Sequence, residues 1–354
     1  MKNFTVLLLC VLGTVHPNSA QTADPRALTN AGLAEYRAGH FEQAEMLLHK
    51  ALESAQRTGD DYAAATAQTY LGDVYQSEDR LIESEQAFAK ALSILRRIPG
   101  NSFETAIVLR NLGTVYSLNQ HHSEALKVLQ EALKLIQQNT PEELALARQI
   151  LNSLAMVYFR QGKTNRAETL LLQAITLVKN EPYLRHAGIL NNLGMVYQRR
   201  HRLDRAEEAF KQSLKVTEQQ MGALHTDVAL PLNNLGALYT ELRRYAEAEE
   251  LYRRSLTILE QTTPPQDAKI VRTLHALSKT YLRQGDKTRA ESALAQAVEI
   301  GRRSPVCRGD MPTILAAYAD VLKSRGQPDL AQRLRLEARQ TKAELGLTVR
   351  VPSR

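Results

Sequence analysis

The sequence predicts an all-α fold, a solenoid of about eight stacked helix-turn-helix units. Three observations predict it: a composition suited to packed helices, residue columns that return every 39 to 42 residues, and a short polar breaker inside each period. The chain of 354 residues is 44% hydrophobic and 23% charged, with 5% aromatics, no Trp and few Gly or Pro. Such a composition, rich in Ala, Leu, Glu, Arg and Gln, favours packed helices over disorder.

The first twenty residues stand apart. Lys2 gives a positive start, Val6–Val15 an apolar run, and Pro17–Ala20 leads to a small residue before Gln21. This is the layout of a secretory signal peptide, so residues 1–20 are expected to direct export to a periplasmic or secreted location. A cut after Ala23 is the alternative to one after Ala20. Cys10 follows Leu7–Leu9 rather than a small residue, which argues against lipidation. The apolar run is too short for a stable membrane anchor, and no second stretch is long enough. Residues 21–26 then form a short leader, 27–345 the solenoid and 346–354 a flexible tail. Past the signal only Cys307 remains, so no internal disulfide is expected.

The net charge of +7 and a pI near 9.3 come from 45 basic and 38 acidic residues interspersed along the chain. Clustered bases with interleaved aromatics, the footprint of a nucleic-acid binder, are missing. The mild excess favours an acidic partner or an anionic surface.

The repeats begin with the small residue that ends "LNNLG", a stretch occurring at Leu190–Gly194 and Leu232–Gly236. Its equivalents are Gly32, Gly72, Gly113, Ala155, Gly194, Gly236, Ser278 and Ala319. Three residues later comes Tyr75, Tyr116, Tyr158, Tyr197, Tyr239 or Tyr281, with Glu35 and Leu322 in the end units. Twelve later stands Ala44, Ser84, Ala125, Ala167, Ala206, Ala248, Ala290 or Ala331. Nineteen later stands Ala51, Ala91, Ala132, Ala174, Ser213, Ser255, Ala297 or Ala338. Four before sit Leu28, Leu109, Leu151, Leu190, Leu232, Leu274 and Leu315, with Gln68 the exception.

Leucine, small residue and tyrosine at i, i+4 and i+7 make one apolar stripe on a first helix. The small residue lets a second helix cross closely, where a large one would overpack. Breakers such as Gln161-Gly162-Lys163 and Gln284-Gly285-Asp286 separate the two helices. Thr140-Pro141-Glu142-Glu143 supplies an N-cap, a first-turn Pro and a Glu three residues after the cap, and Thr263-Pro264-Pro265-Gln266 repeats the idea.

These marks resemble the tetratricopeptide repeat (TPR) family from about Ala27 to Gly346. The period of about 42 exceeds the family's usual 34 and is similar to the kinesin-light-chain type. "HTDVALPLNNLGALYTELRRYAEAEELYRRSLTILE" at His225–Glu260 matches best, departing at Pro231, which removes a backbone donor and kinks or delays its helix. The resemblance implies a right-handed superhelix whose first helices line a concave groove.

Within "LNNLG" the second asparagine, Asn192 or Asn234 (and Asn111), occupies a column that in the family braces the adjoining turn. The first, Asn191 or Asn233, shares its column with Asn152, Arg110 and His275, and is expected to face the groove. An Asn offers both donor and acceptor to an extended ligand chain; a solvated polar face is the competing reading. Further groove-facing positions are Arg37, Asp73, Arg160, Arg199, Glu241, Arg272, Lys279, Arg283, Asp320 and Lys323. With Arg110, basic residues outnumber acidic ones by eight to three, which leans toward carboxylate-bearing partners.

No phosphate loop, zincin helix or cysteine pair occurs. His121-His122 fall in a turn, and two adjacent histidines are weak metal ligands. No cofactor and no catalysis are expected. The reading is a scaffold or adaptor, mostly monomeric, that binds a peptide or protein segment in its groove. The alternatives are a cytoplasmic regulator and a self-assembling module; the charged "AQRLRLEARQTKAEL" of the last unit suits a solvated end-cap and counts against the second.

Overall fold

A computed structural model of the chain describes residues 24–177, 187–262 and 266–345. The expected signal peptide (1–20) and tail (346–354) lie outside these residues, as does most of the Thr263–Gln266 start signal. Sixteen helices and no strand occur among the described residues, and they pair into eight units. The first half runs α1 (Pro25–Ala38), α2 (Phe41–Thr58), α3 (Asp61–Ser77), α4 (Leu81–Leu95), α5 (Ser102–Leu118), α6 (His122–Leu135), α7 (Pro141–Arg160) and α8 (Thr164–Thr176). The second half runs α9 (Ala187–Arg199), α10 (Leu203–Met221), α11 (Ala229–Glu241), α12 (Tyr245–Glu260), α13 (Asp267–Gln284), α14 (Lys287–Arg303), α15 (Met311–Ser324) and α16 (Pro328–Glu344).

Local chemistry fixes these limits. At α7 the full capping box forms: Thr140 Oγ1 accepts from the Glu143 amide, and the Glu143 carboxylate accepts from the Thr140 amide. Asp24 caps α1, so that helix starts at Pro25, within the span assigned to the leader. Pro231 lies in the first turn of α11, where a missing donor costs nothing, and a 3-10 turn at Thr226–Val228 precedes it. Its effect is the delayed start rather than the kink.

The turn inside each unit obeys a further rule. The seventh residue after the small one is left-handed in all eight: Gly39, Gly162, Gly285 and Gly326, and the non-glycines Asp79, Gln120, His201 and Arg243, at φ 56 to 88°. Glycine enters this region without the Cβ clash that the other four accept.

Packing follows the columns. Every alanine or serine twelve residues after the small one is 0–2% exposed, and those nineteen after are 0–8% exposed. The small residue itself is a notch. A Cβ on Gly72 would lie 2.6 Å from the Phe88 ring, on Gly113 2.5 Å from Leu129, on Gly194 2.6 Å from the Phe210 ring, and on Gly236 2.9 Å from the Tyr252 ring. The filling side chain always comes sixteen residues later. Where the notch is Ala155 or Ser278, the filler is Leu171 or Leu294, smaller than Phe or Tyr and fully buried.

Five of the seven joints between units carry an ion pair of one type among the described residues, and at the joint between the second and third units Glu85 accepts from Asn119 instead. A glutamate thirteen after the small residue of one unit meets an arginine from the next unit's turn: Glu45–Arg80 (2.8 Å), Glu168–Arg202 (3.1 Å), Glu207–Arg244 (3.0 Å), Glu249–Arg289 (3.0 Å) and Glu291–Arg325 (2.8 Å). Three of these arginines also lie over the column tyrosine, at 4.2 Å on Tyr75, 3.8 Å on Tyr239 and 4.5 Å on Tyr281. At the joint between the third and fourth units the glutamate is replaced by Leu126 and the arginine by Lys163.

First helices from α1 to α13 pack on the next first helix, whereas the backbones of second helices pack on the first helix of the following unit and meet the next second helix only through side-chain ion pairs such as Arg254–Glu218. The first helices therefore sit at the smaller radius and form the inner wall.

The notch gives a direct test by denaturant unfolding. Gly194→Ala is expected to lose about 1–3 kcal/mol through overpacking against Phe210. Adding Phe210→Leu should restore most of that loss, because it recreates the Ala155 and Leu171 combination. A single variant as stable as the parent would contradict the notch.

Candidate functional site

The wall formed by α3, α5, α7, α9, α11 and α13 carries the polar groups from which a binding site can be built. The asparagines are the first surprise. Asn192 Nδ2 donates to Asn152 Oδ1 of the preceding unit at 2.8 Å, and Asn234 Nδ2 donates to Asn191 Oδ1 at 2.7 Å. Asn233 Nδ2 donates to Thr273 Oγ1 at 2.7 Å, and Asn111 Nδ2 to Asp73 Oδ1 at 3.1 Å. Asn191 is only 3% exposed.

The expectation that one column braces while the other binds is therefore corrected. Each unit steps along its predecessor by about one residue, so the second asparagine of one faces the first-column asparagine of the unit before. Asn152, Asn191 and Asn233 all bond between units, as the second column does, while Oδ1 of Asn233 is buried without a hydrogen-bond partner.

The arginines behave differently. Arg160 donates through Nη1 to Ser117 Oγ at 2.9 Å, and Arg199 donates to the Phe159 carbonyl at 3.0 Å while lying 4.8 Å from the Phe159 ring centre. Arg110 lies on α5 with its Nε buried and without a hydrogen-bond partner. Among the described residues none of the three has a carboxylate within ion-pair distance. Burial lowers the proton affinity of Arg110 and Arg160, with Asp73 partly offsetting it at Arg110. Guanidinium groups stay charged through such shifts. Arg160 and Arg199 occupy the same column in adjacent units, and Arg283, exposed on α13, repeats it two units beyond Arg199.

Other expected groove residues are already committed. Arg272 donates Nε to Asp310 at 2.8 Å, so its charge is matched within the chain. His275 is pushed down to about 4 by burial, with Lys279 adding repulsion, so it is neutral near pH 7 and leaves the set of cations. Lys279 is exposed on the same helix. Of the acids, Glu241 accepts from Gln198 at 2.8 Å and Asp320 pairs with Arg335 at 2.6 Å. The wall is thus more basic in its free charges than the bare count of eight to three implied.

Sequence reasoning missed a cavity of about 620 Å³ beside the wall, between α9, α10, α11 and α13, lined in part by Asn234, Tyr252, Leu230 and Lys269. The late start of α11 helps to open it, and Pro231 was the readable signal. His121 precedes α6 and His122 begins it. No cluster of three metal-ligand side chains occurs among the described residues, and none of their helices is long and apolar enough to cross a membrane.

Comparison with known proteins agrees with this architecture. The tetratricopeptide repeat profile matches residues 64–138, 146–219, 185–261 and 227–303, and a second profile of that repeat matches 26–58. No curated protein matches the chain. Among solved structures, BtubC (BKLC) from P. vanneervenii is similar at 24% identity and a TM-score of 0.54, over 64% of this chain and 91% of that one. The apo form of RapI is similar at 16% identity and a TM-score of 0.56, over 79% of this chain and 99% of that one. A kinesin-light-chain-like protein from Podosopora anserina with nearly identical TPR-like repeats reaches 0.48 at 19% identity, over 59% of this chain and 100% of that one. At these identities the likenesses speak to the fold.

Asp73 offers a pH test. Burial raises its carboxyl from 3.8 to about 6, against the pull of Arg110. The fold favours the neutral acid, so the stability it contributes is full below the ordinary value and is lost as pH rises through about 6. Unfolding curves of the parent minus those of Asp73→Asn should show a pH-dependent difference of up to about 3 kcal/mol across this window. Parallel curves would remove Asp73 from the buried wall.

Proposed function

The chain belongs to the tetratricopeptide repeat family, and on that premise we propose that it is a non-catalytic scaffold holding an acidic peptide or protein segment along its first-helix wall. Repeats of this family form protein-binding scaffolds and adaptors. The observation that carries the finer reading is the set of arginines Arg110, Arg160 and Arg199 on the inner wall, without a carboxylate partner among the described residues: Arg110 is half-buried with its Nε unpartnered, and Arg160 and Arg199 are exposed beside it. Elsewhere the chain neutralises its structural arginines, as Glu45, Glu168, Glu207 and Glu249 do at the joints. At Arg110 a buried cation without an anion is costly, and a ligand carboxylate that binds it bidentately recovers that cost, while Arg160 and Arg199 offer exposed guanidinium donors to the same ligand. Lys279 and Arg283 extend the same charge toward the seventh unit.

We further propose export, on the charge, apolar run and small residues of positions 1–20. A monomer fits best, because α16 closes the stack with exposed Arg333, Arg335 and Arg339 rather than an apolar face.

A peptide array graded in net charge tests the binding reading. The parent should retain acidic members, with signal falling as salt rises. Arg110→Glu, Arg160→Glu and Arg199→Glu combined should reduce retention at least tenfold without changing the helical spectrum. Equal retention by parent and variant would move the site away from this wall.

A further inference from the structure

The two ends of the solenoid meet. A Cβ placed on Gly309, in the loop between α14 and α15, would lie 3.0 Å from Oδ2 of Asp79, at the tip of the turn between α3 and α4. Beside it, Arg272 of α13 holds Asp310 at 2.8 Å. A cavity of about 630 Å³ continues the seam, with Tyr36, Phe41 and Ser77 on one bank and Leu224, His225 and Lys269 on the other. Leu224 is 70% exposed there. Eight units thus complete a superhelical turn and bring the second unit's turn against the last three.

The contact is narrow. Turn tips and loops form it, and no helix of the first two units packs along a helix of the last three. The joint between the third and fourth units, where Leu126 and Lys163 replace the glutamate and arginine, has no ion pair of the joint type to resist bending. We propose that the seam is a latch: the α3–α4 turn closes on the α14–α15 loop, and a chain-like partner reaches the inner wall only when this contact opens.

Three charged groups govern it. Asp310 and Arg272 face Asp79 from across the seam, and on its own turn Glu78 is tied to Arg80 at 3.0 Å. Burial first, and then Asp310, hold the Asp79 carboxyl above its ordinary value, with Arg272 opposing. Closure therefore favours neutral Asp79. Its contribution is full below the ordinary value of 3.8 and weakens as pH rises through the raised one.

What the latch gates rests on the groove reading, but closure belongs to the free chain, so the two can fail separately. In a Cys10→Ala, Cys307→Ala background, Asp79→Cys with Gly309→Cys should form a disulfide under mild oxidation. Adding Arg272→Glu should slow its formation at least tenfold. Without the added cysteines, small-angle X-ray scattering should show a larger maximum dimension for Arg272→Glu than for the parent. The parent should also expand as pH rises from below the ordinary carboxylate value of 3.8 through the raised one, and Asp79→Asn should not. The latch is overturned if the cysteine pair stays reduced in a chain with a normal helical spectrum. It is equally overturned if parent and Arg272→Glu scatter alike.

Discussion

Where the two helices of a unit cross, there is room for one large side chain and not for two. Gly72, Gly113, Gly194 and Gly236 leave that room, and Phe88, Leu129, Phe210 and Tyr252 fill it. The separation in sequence is sixteen in each, so these units bring their own filler and need nothing distant to form. Close crossing then buries the alanines twelve and nineteen residues after the notch, which set the spacing to the next unit. A notch enlarged by one methyl pushes two helices apart, and neighbouring units lose their seat in turn.

Stacking leaves a second problem, because nearest-neighbour packing alone allows units to slide or splay. The glutamate–arginine pairs on the turn side and the asparagine ladder on the inner wall hold most units to the last. Each exposed pair contributes little, about 0.2–1 kcal/mol, but repetition gives the stack one curvature. The chain uses its amides and most of its turn arginines in this way. What is left over on the inner wall is a short row of arginines with no acid to meet.

The fold was legible because a small-residue notch and two further columns of Ala or Ser survive eight times in phase, and an aromatic six times. The capping box at Thr140 was equally plain. The candidate site was legible only in part. Columns assign each residue a face within its own unit, which is how Arg110, Arg160 and Arg199 came to be proposed together on the first helices. They say nothing of the step between units, and it is that step which turns Asn192 toward Asn152 and Asn234 toward Asn191. The same blindness hid the joints, although glutamate follows the small residue of the second helix in six of the eight units. Contacts separated by the whole chain, such as Asp79 with Gly309, leave no periodic trace at all. Arg272 counted among the basic groove positions in the sequence, and Asp310 neutralises it; His275, a groove candidate, is kept neutral near pH 7 by burial.

The central claim is that the first helices form an inner wall that binds while the second helices only support it. Hydrogen–deuterium exchange of the chain, free and with an acidic segment bound, tests this most directly. The account predicts added protection on α5, α7 and α9, around Arg110, Arg160 and Arg199, with the second helices α6, α8 and α10 unchanged. Protection confined to those second helices would contradict it.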